Sequence, residues 1–130
     1  MDLKKIMVVD DDTDQIYTVS RILNESSDEY RVIGAKSSMA CLELLEKNVI
    51  PDLILLDIMM PEMSGWELVK RLKKSPWNNI PVIFLTAHTN KIAKTVGGWL
   101  GDDYIEKPFD GANLKKRIDK VLKNTSRGYF

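Results

Sequence analysis

Five short apolar runs, each followed by a stretch of helical character, set the tightest limit on what this chain can fold into. The runs are 4–9, 30–35, 53–56, 80–85 and 104–106. Residues 53–56 (Leu-Ile-Leu-Leu) are apolar without a break, as expected of a strand covered on both faces in a parallel sheet. Between the runs, Ile16, Val19 and Leu23 recur at helical intervals, as do Cys41, Leu42 and Leu45, then Trp66, Val69 and Leu72, and finally Leu114, Ile118, Val121 and Leu122. A further helix is expected over 90–100 from Ile92, Ala93 and Val96, weakened by Gly97 and Gly98 at about 1 kcal/mol each relative to alanine. Strict β-α alternation implies an α/β fold, one parallel sheet with helices on both faces.

The helix starts are signalled locally. Ser64 and Glu67 have capping-box spacing, as do Asp12 and Gln15; Ser37 and Asp110 are further cap candidates. Lys70, Arg71, Lys73 and Lys74 suit the negative end of the third helix. Residues 75–79 (Ser-Pro-Trp-Asn-Asn) read as a loop. The last residues, 125–130, carry no pattern and are expected to fray as a short tail after a domain spanning 1–124, with no output domain.

Composition narrows the function classes. In 130 residues, 19 Lys plus Arg balance 19 Asp plus Glu, so no net field draws the chain to nucleic acid or anionic lipid. Cys41 is the only cysteine and can form no internal disulfide. With no secretory segment and no apolar run near 18 residues, a cytoplasmic protein without membrane insertion or direct nucleic-acid binding is expected.

The informative residues stand where strands end. Asp10 and Asp11 follow the first run, Asp57 the third, Thr86 the fourth and Lys107 the fifth. In a parallel sheet these ends share one edge, where open α/β sheets place their ligands. Neighbouring carboxylates raise one another's pKa unless a positive charge lies between them, and Mg²⁺ is the natural partner, since it takes one or two carboxylates and completes its shell with water and phosphate. A nucleophilic carboxylate, a metal site, a hydroxyl and a lysine are the parts needed to place a phosphoryl group on Asp57. No Gly-x-x-x-x-Gly-Lys-Ser/Thr or Gly-x-Gly-x-x-Gly motif points to a nucleotide donor. His88, the only histidine, reads as a solvated loop residue, and Trp66 and Trp77 as packing residues.

Four segments in order, Val-Val-Asp-Asp at 8–11, Leu-Leu-Asp-Ile-Met-Met-Pro-Glu-Met-Ser-Gly at 55–65, Leu-Thr-Ala at 85–87 and Tyr-Ile-Glu-Lys-Pro-Phe at 104–109, carry a family resemblance. The chain resembles the receiver domain of two-component response regulators, most of all the single-domain chemotaxis type. The resemblance implies a flavodoxin-like (βα)5 three-layer sandwich whose five-stranded sheet has the order 2-1-3-4-5. It implies Asp57 as phosphoacceptor, taking the group from a phosphohistidine of a sensor histidine kinase or phosphotransfer protein. Mg²⁺ would be held by Asp11 directly, by Asp10 mainly through water, by Asp57, and by the backbone carbonyl of Met59. Thr86 and Lys107 would meet phosphoryl oxygens, Tyr104 would move inward with Thr86, and the Lys107–Pro108 peptide would be cis. An unknown downstream protein would read the surface formed by the helix at 90–100, the last strand and the last helix.

Departures from the family pattern are Met59 and His88 at the two variable positions flanking the site, Thr13 where proline is common, and a spacing one residue short near Trp99-Leu100-Gly101. Two other readings compete. A phosphatase of the haloacid dehalogenase type also uses a nucleophilic Asp, and Asp10-Asp11-Asp12 contains an Asp-x-Asp. Against it, Lys107 follows the acidic pair Asp102-Asp103 instead of preceding it, Asp14 stands where a threonine is usual, and the chain is short for that fold and has no cap domain. A pseudo-receiver acting only by docking is the other reading, and the intact site positions give it no support.

Overall fold

A computed structural model describes residues 3–26, 29–86 and 101–127. The expected helix over 90–100, the short spacing beside it and His88 lie outside those residues. The described elements are β1 (Lys4–Val9), α1 (Thr13–Ser26), β2 (Tyr30–Ala35), α2 (Ser38–Glu46), β3 (Leu53–Asp57), α3 (Gly65–Lys73), β4 (Val82–Thr86), β5 (Asp103–Glu106) and α4 (Gly111–Arg127).

All four strand pairings are parallel, and the order is β2-β1-β3-β4-β5. This is the flavodoxin-like arrangement the sequence leads one to expect. Its chain reverses direction across the sheet between β1 and β3, and this crevice is the ligand position in such folds.

The apolar runs are continuous because alternate side chains enter two different cores. Met7, Val9, Ile54, Leu56, Val82 and Phe84 pack with Cys41 and Leu45 of α2 and Leu68, Val69 and Leu72 of α3. Ile6, Val8, Leu53, Leu55, Ile83, Leu85 and Ile105 pack on the other side with Val19 and Leu23 of α1 and Leu114, Ile118 and Val121 of α4. Each such aliphatic side chain, fully buried, contributes about 1.5–3 kcal/mol. Trp66 and Trp77 are indeed packing residues, both half-buried against the first of these cores, and the Trp66 and Phe84 rings lie 4.6 Å apart.

Each cap candidate accepts from a helix-start N–H, but among the described residues no return bond to the Gln15 or Glu67 side chain completes a capping box. Ser37 accepts a hydrogen bond from Ala40 N at 3.0 Å and Ser64 one from Glu67 N at 3.3 Å. Asp12 accepts from Asp14 N at 3.0 Å and Asp110 from Ala112 N at 3.2 Å. Two boundaries differ from expectation by two residues or more. The fourth strand starts at Val82 and not at residue 80. Ile80 closes a turn by donating to Trp77 O, and Pro81 has no N–H to give a ladder. The last helix continues to Arg127 where fraying was expected from 125; its buried apolar positions end before that turn, so a periodicity argument cannot see it. Among the described residues, no helix is long and apolar enough to cross a membrane.

Candidate functional site

β1 and β3 run side by side with Val9 opposite Leu56, so the residues that follow each strand emerge together at the same edge. Asp10 is held by its N–H donating to Ala35 O at 3.0 Å, while its Oδ1 accepts from Asp12 N at 3.0 Å. Ligand oxygens of Asp10, Asp11 and Asp57 all lie within 4.8 Å of one another. Asp10 and Asp57 are buried and Asp11 is exposed at the rim.

Lys107 enters from the end of β5. Its Nζ lies 3.1 Å from Asp10 Oδ2 and 3.5 Å from Asp57 Oδ1. Its backbone N–H donates to Thr86 O at 2.7 Å, which ties the ends of β4 and β5 together, and the Lys107–Pro108 peptide is cis. Thr86 is buried at the same edge. The strand ends therefore bring Asp10, Asp11, Asp57, Thr86 and Lys107 to one place. Tyr104 stands opposite Phe84 in the β4–β5 ladder and is half-buried against the core under α2 and α3.

The Asp57 carboxyl is pushed up from 3.8 to about 6. Burial is the main cause and the Asp10 charge the next; the Lys107 ammonium and a hydrogen bond from the Met59 backbone oppose them, and Asp11 adds a small upward push. At neutral pH such a group is still mostly ionised, but more basic than an ordinary aspartate and so a better nucleophile. Met59 itself has its side chain 75% exposed, so the residue serves Asp57 through its backbone and leaves its thioether at the surface.

The loop after Asp57 turns back at once. Gly65 N donates to Ile58 O at 2.9 Å. A Cβ on Gly65 would collide with the Asp57 carbonyl oxygen and sit 3.0 Å from Ile58 Cα. Gly65 is therefore needed for backbone to pass against backbone, which only a residue without Cβ allows.

Sequence reasoning missed three contacts. The Met59 N–H that supports Asp57 has no side-chain signature. Ser38 Oγ donates to Met63 O at 2.9 Å across 25 residues; Ser38 stands next to the cap Ser37, which drew the attention. Arg117 donates to Tyr104 O at 2.8 Å and pairs with Asp103 at 3.0 Å, fastening α4 to β5. It was hidden in a lysine-rich helix face.

Comparison with known proteins agrees with this geometry. The family model for the response regulator receiver domain matches residues 6–119. The chain is 42% identical over 121 residues to a "Probable cyclic di-GMP phosphodiesterase" of Vibrio cholerae, covering 92% of this chain and 26% of that protein. It is 35% identical over 124 residues to the transcriptional regulatory protein CpxR of Escherichia coli, covering 95% of this chain and 51% of that protein. The chain thus spans a quarter to a half of these curated relatives. Among solved structures, the receiver domain of the Francisella response regulator 1452 superposes with a TM-score of 0.83 at 32% identity, over 94% of this chain and 98% of that one. The family match at 6–119 takes in every strand end that carries one of these polar residues. The chain belongs to the response regulator receiver domain family of two-component signalling.

Proposed function

We propose that Asp57 accepts a phosphoryl group from a phosphohistidine of a sensor histidine kinase or phosphotransfer protein. An Asp57 carboxylate oxygen attacks phosphorus, the phosphorus–nitrogen bond breaks, and the histidine nitrogen leaves with the electron pair and takes a proton. The observation that carries this reading is the meeting of three carboxylates with one ammonium, Lys107 Nζ lying within 3.5 Å of both Asp10 and Asp57.

The donor set fits Mg²⁺, a hard cation that prefers oxygen ligands and keeps several waters. Asp11 and Asp57 would hold it directly with the Met59 carbonyl, and Asp10, both of whose oxygens are engaged by Lys107 and the Asp12 N–H, would act mainly through water. When bound, Mg²⁺ supplies positive charge for the phosphoryl oxygens. Lys107 would leave Asp10 and pair with a phosphoryl oxygen, and the Thr86 hydroxyl would donate to another. Tyr104 would follow Thr86 and alter the surface made by β5 and α4, where a downstream protein would read the change. Catalysis by the chain is confined to its own phosphorylation and dephosphorylation, and its setting is cytoplasmic.

The test is labelling by a small phosphodonor in Mg²⁺. Wild-type protein takes up one phosphoryl group per chain and Asp57→Asn takes up none. Labelling of Asp57→Asn at another carboxylate with wild-type efficiency would overturn the assignment. Repeated release of phosphate from a phosphomonoester would indicate a phosphatase instead.

A further inference from the structure

Among the described residues, four polar or charged side chains are buried: Asp10, Asp57, Thr86 and Ser38. Three stand at the strand-end site. The fourth, Ser38, is 2% exposed at the first turn of α2 and donates its hydroxyl to Met63 O at 2.9 Å. Met63 belongs to the loop that carries the chain from Asp57 into α3.

That loop is held in an unfavourable shape. Met63 N donates to Pro61 O at 2.8 Å, closing a three-residue turn, and Glu62 between them has φ 68°. A non-glycine residue at positive φ in so tight a turn is strained. Such strain persists only where the surroundings fix the chain on either side. On the near side the Ile58 and Met60 side chains are buried in the core, and on the far side so is Met63. Besides this burial, Gly65 N grips the peptide that carries the Met59 N–H by donating to Ile58 O at 2.9 Å, and Gly65 lies only two residues beyond Met63. The Ser38 hydroxyl fixes the Met63 carbonyl, one residue beyond the strained turn and one before the Ser64 cap. The backbone between these anchors is that of Met59, whose N–H supports the Asp57 carboxylate.

We infer that Ser38 is a positioning residue for the Asp57 site. It clamps the strained turn at Glu62 from the neighbouring β-α unit, and so holds the Met59 peptide in place against Asp57. Ser38 touches none of the reacting groups and acts through the loop backbone. The inference rests on the reading of Asp57 as phosphoacceptor for its functional consequence, but the clamp itself is a statement about the loop.

The experiment compares wild type, Ser38→Ala, Ser38→Thr and Val69→Ala. Val69→Ala is a cavity control in the same core, on α3 beyond the Ser64 cap and outside the loop's hydrogen bonds. Three quantities are read without phosphodonor or with it: hydrogen exchange of the Met59, Met60, Glu62 and Met63 amides, the Mg²⁺ dissociation constant by titration calorimetry, and the rate of labelling by an acyl phosphate. Ser38→Ala is expected to speed exchange of the loop amides about tenfold, equivalent to about 1.4 kcal/mol. It should weaken Mg²⁺ and slow labelling each by at least threefold, while amides of β1 and β3 keep their protection. Ser38→Thr, which keeps the hydroxyl, restores at least half of each loss. Val69→Ala leaves loop exchange and Mg²⁺ binding within twofold of wild type. Loop exchange unchanged in Ser38→Ala, or raised equally by Val69→Ala, would overturn the inference. A wild type that binds no Mg²⁺ and takes no label would sink the phosphoacceptor reading instead, and the exchange data would still decide the clamp.

Discussion

Lys107 is paired more closely with Asp10 than with Asp57: its Nζ stands 3.1 Å from Asp10 Oδ2, against 3.5 Å from Asp57 Oδ1. The ammonium is thus held mainly by the buried acid beside Asp57. Asp57 receives only part of its compensation, which is why burial and the Asp10 charge prevail and its carboxyl rises to about 6.

Asp10→Asn removes a charge that raises Asp57 and releases Lys107 toward it. Both changes act in one direction, so the Asp57 pKa should fall from about 6 toward the ordinary aspartate range. Carboxyl-carbon NMR titration in Mg²⁺-free buffer measures it directly. A rise, or no change, would mean that the Asp10 charge does not contribute to the perturbation.

The same shift has a stability consequence. The Asp57 pKa is 3.8 in its unperturbed form and about 6 in the fold, so between these values the folded state holds a proton that the unfolded chain has lost. Stability from this group is complete below about pH 4 and is lost as pH rises through about 6. The full difference is on the order of 3 kcal/mol, an upper value because relaxation around the charged group lowers it. Asp57→Asn, which never ionises, should therefore be more stable than wild type by roughly 2 kcal/mol above pH 7 and about equal to it near pH 4. Urea unfolding in chelator across this range checks the sign, and added Mg²⁺ should close the gap by stabilising only the wild type.

Metal binding should rank the two acids at the end of β1. Asp10 already serves Lys107 and the Asp12 N–H, whereas Asp11 lies exposed at the rim with an oxygen in reach of the other two carboxylates. Asp11→Ala should weaken Mg²⁺ about tenfold or more, and Asp10→Ala distinctly less. Calorimetric titration of both variants separates them; equal losses would show that the two acids share the ion.

Gly65→Ala should be among the most damaging single-methyl changes in the chain. The added Cβ would press on the Asp57 carbonyl oxygen and the Ile58 backbone, neither of which can rotate away. Overpacking of this kind costs about 1–3 kcal/mol, and here the backbone displaced is that of Asp57, the proposed phosphoacceptor. Denaturant unfolding should show the loss of stability, and labelling with a phosphodonor should slow as well. Wild-type values in both would mean that the loop yields more easily than its contacts imply.

The sequence by itself determined the layered architecture. Runs such as Leu53 to Leu56 must be covered on both faces, and their alternation with capped amphipathic segments admits few topologies. It also determined which strand ends carry polar groups, because Asp57 and Thr86 break into apolar runs and Glu106 and Lys107 close the last one. Local chemistry wrote these features, and local reading recovers them. Tertiary structure decided the rest. Lys107 chooses Asp10 over Asp57 by distances of tenths of an ångström between strands 97 residues apart in the chain. Ser38 reaches Met63 because α2 packs beside the loop after β3, and Gly65 must be glycine because two backbones cross there. These are contacts between segments distant in sequence. No periodicity or cap encodes them, since they come into being only when the sheet has set the register of its strands.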